Sequence, residues 1–110
     1  MNLWILLKAK EELEKLDGQG KVEYFVCNVT NSKDIENLIE FTNKKFENID
    51  IWINNAGVNQ PDKPIWELTE QEIDLVLDVD LKGAIIGSKL ALEYMSKQGH
   101  GSIYNIEGYG

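Results

Sequence analysis

The chain has 110 residues, a formal net charge of −8 at neutral pH, and eleven lysines without any arginine. Binding to a nucleic acid or to an anionic membrane needs clustered positive charge, so this composition argues against both partners. The length allows one domain. The single cysteine, Cys27, cannot form an internal disulfide, which fits a reducing compartment and leads us to expect a cytoplasmic protein.

The first half of the chain predicts a helix, a strand and a second helix. Residues 4–16 are rich in Leu, Ala, Glu and Lys, and Gly18 supplies a stop. The apolar run 3–7 at its start is too short to span a membrane. Residues 22–27 predict a strand, and Asn31 or Ser32 can cap the helix that follows.

The second half predicts two further strands separated by helix. Residues 49–54 are hydrophobic nearly throughout, as in a strand that is covered on both faces of a parallel sheet. Thr69 and Glu72 have the spacing of a capping box, and helix follows in two parts to about Lys97. Residues 102–106 predict the third strand. The alternation of helix and strand indicates an α/β fold with a parallel sheet.

Four short motifs resemble, in the same order, those of the short-chain dehydrogenase/reductase family. They are Asn28-Val29-Thr30, Asn54-Asn55-Ala56-Gly57, Val79-Asp80-Leu81-Lys82-Gly83 and Gly101-Ser102-Ile103-Tyr104-Asn105-Ile106. The last six residues, Asn-Ile-Glu-Gly-Tyr-Gly, are also similar to a motif of the chlorophyll b reductase branch. The resemblance implies a partial Rossmann-like, doubly wound parallel sheet of three strands with flanking helices, in which residues 1–110 form a single partial domain.

The resemblance also implies a gap in the sheet. In the family's strand order two strands lie between those predicted here at residues 22–27 and 49–54. Three alternatives follow: the first strand moves beside the second, it stays detached, or a partner chain fills the gap.

Two parts of the family pattern do not occur in these 110 residues. One is the glycine-rich turn that holds the cofactor pyrophosphate at a helix N-terminus, and the other is the catalytic Tyr-x-x-x-Lys pair. The serine positions fall on Glu107 and Gly108, so no catalytic serine is assigned. We therefore expect a middle segment of a longer protein that is inactive alone.

The activity implied by the resemblance is NAD- or NADP-dependent hydride transfer to or from a carbonyl or alcohol carbon of a small-molecule substrate. The resemblance implies that Asn28 contacts the adenine amino group through its amide oxygen, and that Val29 forms an apolar wall. It further implies that the backbone near the adenosine ribose belongs to Asn55, Ala56 and Gly57. Asp80 occupies the position of the family's catalytic asparagine, where an ionised carboxylate accepts hydrogen bonds but cannot donate them.

Structural interpretations of the same residues remain open. Residues 55–57 would then form a tight strand-to-loop turn with a role in packing alone. Asp80 would be a polar residue at a helix bend. The whole chain would be a noncatalytic α/β interaction module. The helix from Asp80 to Lys97 resembles one that packs between subunits in the family, so we expect either a homo-oligomer or pairing with a full-length relative. Trp66 is a candidate for the mouth of a substrate site, and we predict no metal site.

Overall fold

Helices dominate the fold, and a short parallel sheet pairs Ile51–Asn54 with Ser102–Asn105. The computed structural model describes residues 3–16, 18 and 20–106. In chain order the elements are α1 (Leu3–Glu14), α2 (Ser32–Phe46), β1 (Ile51–Asn54), a 3₁₀ helix (Ile65–Glu67), α3 (Glu70–Val76), a π-helix (Leu77–Lys82), α4 (Gly83–Gln98) and β2 (Ser102–Asn105). None of the helices described is both long and apolar enough to cross a membrane.

The helix ends lie where the sequence predicts them. Asn31 caps α2, and its side-chain oxygen accepts the Asp34 backbone N–H at 3.1 Å. At α3 the Thr69 hydroxyl and the Glu72 carboxylate each accept the other residue's backbone N–H, which confirms the capping box. Gly99 ends α4 with a φ of 94°, a left-handed angle that glycine adopts without steric cost.

The sheet has two parallel strands in the described part of the chain. Ile51 lies opposite Ser102, and Asn54 lies opposite Asn105. The long helix α4 forms the crossover between the strands, as parallel pairing requires. The α/β class and the parallel direction are therefore confirmed.

The prediction of three strands is wrong, because residues 22–27 form no strand. A strand is stabilised by backbone hydrogen bonds to a neighbouring strand, and the described residues place no strand beside this segment. Side chains hold the segment instead. The Phe25 ring lies 5.1 Å from the Phe41 ring on α2, and Lys10 of α1 lies 3.5 Å from the Glu23 carboxylate. The alternative in which this segment pairs beside the strand at residues 51–54 is therefore wrong.

The buried core lies between α2, α4 and the start of β1. Its buried apolar side chains in the described part of the chain are Ile35, Ile49, Ala91 and Met95. At its edge the Gln98 amide closes the end of α4 onto β1. The amide nitrogen of Gln98 donates to the Ile49 carbonyl at 2.8 Å, and its oxygen accepts the Ile49 N–H at 3.1 Å. This side chain satisfies backbone groups of Ile49, which directly precedes Asp50 and β1.

Candidate functional site

The site begins where β1 ends. Asn55, Ala56 and Gly57 follow the last strand residue in an irregular, exposed segment. In open α/β sheets the crevice outside the carboxyl ends of the strands is the usual place for a ligand. A groove of about 950 Å³ lies here, bordered by this segment, by Val29 and by residues of the π-helix and α4.

The backbone of residues 55–57 is free to contact a ligand. Within the described part of the chain, their N–H and C=O groups make no hydrogen bond. Ala56 and Gly57 are small, so their side chains do not block a ligand from reaching these backbone groups. A Cβ at Gly57 would lie 3.5 Å from the Asp80 carboxylate, an ordinary contact, so the chain itself does not fill this space. These exposed polar groups and the apolar Val29 side chain border the same groove.

Asn54 is a positioning residue that sequence reasoning did not assign. Its amide oxygen accepts the Trp52 indole N–H at 2.8 Å, and its amide nitrogen donates to Ser88 at 3.0 Å and to Asn105 at 2.8 Å. One side chain thus joins β1, α4 and β2. A polar residue at the last position of an apolar strand was the available signal, but two of its three partners, Ser88 and Asn105, are distant in sequence.

Gly87 allows α4 to approach this network closely. A Cβ at Gly87 would overlap the Asn54 amide oxygen and lie 3.3 Å from the Trp52 indole nitrogen. The absence of a side chain at this buried position therefore sets the distance between α4 and β1.

Asp80 lies in the π-helix and binds the loop that follows Gly57. Its carboxylate oxygen accepts the Val58 backbone N–H at 2.7 Å. Single widened turns of this kind are frequent at functional sites. The carboxylate therefore fixes the backbone at the groove. A role for Asp80 in proton transfer stays a prediction.

Val29 lies at the groove because another glycine lets it approach. A Cβ at Gly83 would lie 2.9 Å from the Val29 side chain, closer than real Cβ contacts allow. The structure thus brings Val29 together with residues 55–57 and Asp80 around one groove. Asn28 precedes Val29 in a turn, and its side chain is exposed.

Two further candidate side chains, Cys27 and Trp66, differ in their position relative to the groove. Cys27 borders the groove, but burial and then the nearby Asp34 carboxylate raise the pKa of its thiol, which keeps it protonated and weakly nucleophilic. Trp66 is 82% exposed on the 3₁₀ helix and does not border the groove.

Two parallel strands joined by a helical crossover, with a groove at their carboxyl ends, are the architecture of a Rossmann-type α/β protein. The family model described as short chain dehydrogenase matches residues 5–108. The chain therefore belongs to the short-chain dehydrogenase family, as the four motifs predict.

Known relatives agree with this assignment. A probable chlorophyll(ide) b reductase of Arabidopsis thaliana, named as chloroplastic, is 36% identical over 107 residues, which cover 96% of this chain and 22% of the relative. The 3-oxoacyl-acyl-carrier-protein reductase FabG of Thermotoga maritima is also 36% identical, over 96% of this chain and 40% of its own length. The predicted similarity to chlorophyll b reductases is thus confirmed, and the similarity to FabG is equally strong in identity.

A solved structure titled as an NAD⁺-bound xylitol dehydrogenase has the same fold. It superposes with a TM-score of 0.87 at 26% identity, over 96% of this chain and 40% of that one. The chain thus spans well under half the length of each of these three proteins.

Proposed function

We propose that this chain forms the central part of the cofactor-binding domain of an NAD(P)-dependent oxidoreductase. The observation that carries the proposal is the single groove in which Val29, the free backbone of residues 55–57 and Asp80 meet at the carboxyl end of β1. When bound, a nicotinamide cofactor would supply the hydride for exchange with a carbonyl or alcohol carbon of a small molecule.

Each part of the groove has a separate task in this proposal. Residues 55–57 offer backbone N–H and C=O groups to the adenosine ribose. Val29 excludes water from one face of the adenine. Asp80 holds the loop in place through Val58, so that the backbone is already in position before a ligand arrives.

The activities and the cofactor for which similar proteins are named support the proposal. Two are named as reductases, and the structural neighbour is titled as bound to NAD⁺. The cytoplasmic location stays a prediction, since the word chloroplastic describes the Arabidopsis relative.

Nuclear magnetic resonance titration of the ¹⁵N-labelled chain with NAD⁺ and NADP⁺ tests the proposal. We expect saturable shifts of the backbone amides of residues 55–58. Ala56→Leu should weaken binding, because a larger side chain would occupy the approach to the backbone, whereas Ala9→Leu on exposed α1 should leave it unchanged.

Absence of saturable shifts with both dinucleotides would contradict the proposal. That result would favour the noncatalytic interaction module instead.

A further inference from the structure

The hydrogen-bond network around Asn54 runs from Trp52 on β1 to Asn105 on β2. The Trp52 indole N–H donates to the Asn54 amide oxygen. The Asn54 NH₂ group donates one hydrogen to the Asn105 amide oxygen and the other to the Ser88 hydroxyl. All four residues border the groove, and the Asn105 side chain is exposed. The network therefore ends at a side chain within reach of a ligand in the groove.

Three members of this network can take part in either of two directions. A side-chain amide carries both a donor and an acceptor, and a hydroxyl group can donate or accept. If Asn54, Ser88 and Asn105 reversed their roles together, the Asn54 oxygen would accept from both neighbours, and the same two bonds would remain. The bonds among these three residues therefore do not decide the direction of the network.

Trp52 decides the direction, because an indole N–H can only donate. The Asn54 atom that it contacts must be the oxygen, so the Asn54 NH₂ group faces Ser88 and Asn105. In the reversed network the Asn54 NH₂ group would face the indole N–H. Two half-buried donors would then lack an acceptor, which disfavours the reversed direction by about tenfold.

This direction leaves the Asn105 NH₂ group for a ligand. The Asn105 oxygen is committed to Asn54, and among the described residues its NH₂ group makes no hydrogen bond. The protein therefore offers a hydrogen-bond donor on β2, across the sheet from the free backbone of residues 55–57. A nicotinamide dinucleotide carries acceptor oxygens on its pyrophosphate, its riboses and its carboxamide, so a donor suits this ligand.

We propose that Trp52 is a positioning residue, whose indole N–H sets the direction of the network and so makes Asn105 donate to an acceptor oxygen of the bound dinucleotide. The proposal rests on the proposed function and names a contact at the β2 side of that site. A tryptophan that served packing alone would need its ring but not its N–H. The tests therefore separate the N–H from the ring.

The first test measures the direction of the network without a ligand, by hydrogen exchange of the side-chain NH₂ groups in nuclear magnetic resonance. In the unaltered chain the Asn54 NH₂ group should exchange more slowly than that of Asn105, because both its hydrogens are bonded. Trp52→Phe keeps an aromatic ring but lacks the N–H, so both directions become populated and the difference should shrink. Trp66→Phe, at a position that is 82% exposed and away from the groove, is the matched control and should keep the difference.

The second test is the titration with NAD⁺, in which the Asn105 NH₂ signals should shift together with the backbone amides of residues 55–57. Asn54→Asp leaves Trp52 in place but has no donor, so Asn105 must turn its NH₂ group toward the carboxylate and its oxygen toward the ligand. We expect NAD⁺ to bind about tenfold more weakly and the Asn105 NH₂ signals to stop responding. Asn59→Asp adds the same charge at the border of the groove and should keep the Asn105 response.

Three results overturn the inference. In the first, Trp52→Phe leaves the exchange difference between the two NH₂ groups unchanged, so the indole N–H does not set the direction. In the second, NAD⁺ shifts residues 55–57 but not the Asn105 NH₂ signals. In both cases the proposed function stands. In the third, NAD⁺ does not shift residues 55–57, and the proposed function fails together with the contact at Asn105.

Discussion

Side-chain amides and carboxylates at the groove differ in how their hydrogen-bonding atoms are used. The Asn54 amide is engaged at both ends within the protein. Among the described residues, the Asn28 amide is engaged through its oxygen alone. Asp80 uses a carboxylate oxygen to hold the Val58 N–H. The residue type does not tell which of these side-chain atoms is used within the protein. That depends on which donor or acceptor the fold places next to each side chain.

Removing the Asp80 carboxylate should release the loop after Gly57. In Asp80→Ala the Val58 N–H loses its acceptor, and we expect its hydrogen exchange to accelerate by at least about tenfold, since hydrogen bonds to charged groups contribute about 1.5–3 kcal/mol. Asp80→Asn keeps an acceptor oxygen and should retain most of the protection.

Nuclear magnetic resonance measures the hydrogen-exchange rate of the Val58 N–H in the unaltered chain and in both variants. Equal exchange of the Val58 N–H in all three proteins would show that Asp80 does not hold the loop.

At the scale of the element, α3 and α4 are positioned by different means. The N-terminus of α3 is held by charge, since the Lys63 ammonium lies 2.7 Å from the Glu72 carboxylate of the capping box. The middle of α4 is held by shape, because Gly87 leaves room for Asn54. Each arrangement predicts a separate response to mutation.

The ion pair at α3 predicts a pH-dependent effect of Glu72→Gln. The hydrogen bond from Lys63, followed by that from the Thr69 backbone N–H, lowers the pKa of Glu72 from 4.5 to about 2. Because the folded-state pKa is depressed, the contribution is complete above pH 4.5 and is lost as the pH falls toward 2. Glutamine can still complete the capping box but forms no ion pair with Lys63.

Thermal unfolding followed by circular dichroism checks this prediction. Glu72→Gln should lower the melting temperature at pH 7, and the deficit should shrink toward pH 2. Glu70→Gln in the same helical turn serves as the control for lost charge. A deficit that is constant with pH would contradict the role of the ion pair.

The close approach of α4 to β1 predicts that Gly87→Ala is destabilising. Alanine favours helix over glycine by about 1 kcal/mol, yet the new Cβ would overlap the Asn54 amide, which three hydrogen bonds hold in place. Overpacking of this kind costs about 1–3 kcal/mol, so we expect a net loss in the free energy of unfolding.

Urea denaturation measures that loss. Gly20→Ala, where a Cβ would meet no atom within 4 Å, is the matched control. A variant at Gly87 as stable as the unaltered chain would show that the network tolerates displacement.

At the scale of the molecule, the chain exposes more surface than its mass requires. The accessible surface is 8676 Å², against about 6,200 Å² for a compact protein of 12.5 kDa. The radius of gyration is 16.1 Å, where about 13 Å is usual for this length. Exposed apolar side chains include Ile51 and Ile53 on β1, and Ile85 and Leu92 on α4. Such surfaces are typical of interfaces.

We therefore predict that the chain self-associates, in line with the expected homo-oligomer. Association stabilises the folded state by mass action, so the melting temperature should rise by roughly 3 °C for each tenfold increase in concentration. Sedimentation velocity should show the matching increase in mass. Ile85→Glu should weaken association if this face of α4 takes part, and Gln60→Glu in an exposed loop is the control for added charge. A monomer at all concentrations would contradict the prediction.

The sequence by itself determined the local features of this protein. The Asn31 cap, the capping box at Thr69 and the end of α4 near Lys97 depend on residues close together in the chain, so their patterns are legible without coordinates. The order of the four motifs likewise sufficed to indicate the family, which the match over residues 5–108 confirms.

Only the tertiary structure decided what depends on neighbours distant in sequence. Residues 22–27 have the composition of a strand but form none, because pairing requires a strand beside them. The tasks of Asn54 and Asp80 are set by partners that are 22 to 51 residues away. The sequence determines which hydrogen-bonding groups a side chain carries. The partner atom that each group contacts is determined only when the chain folds.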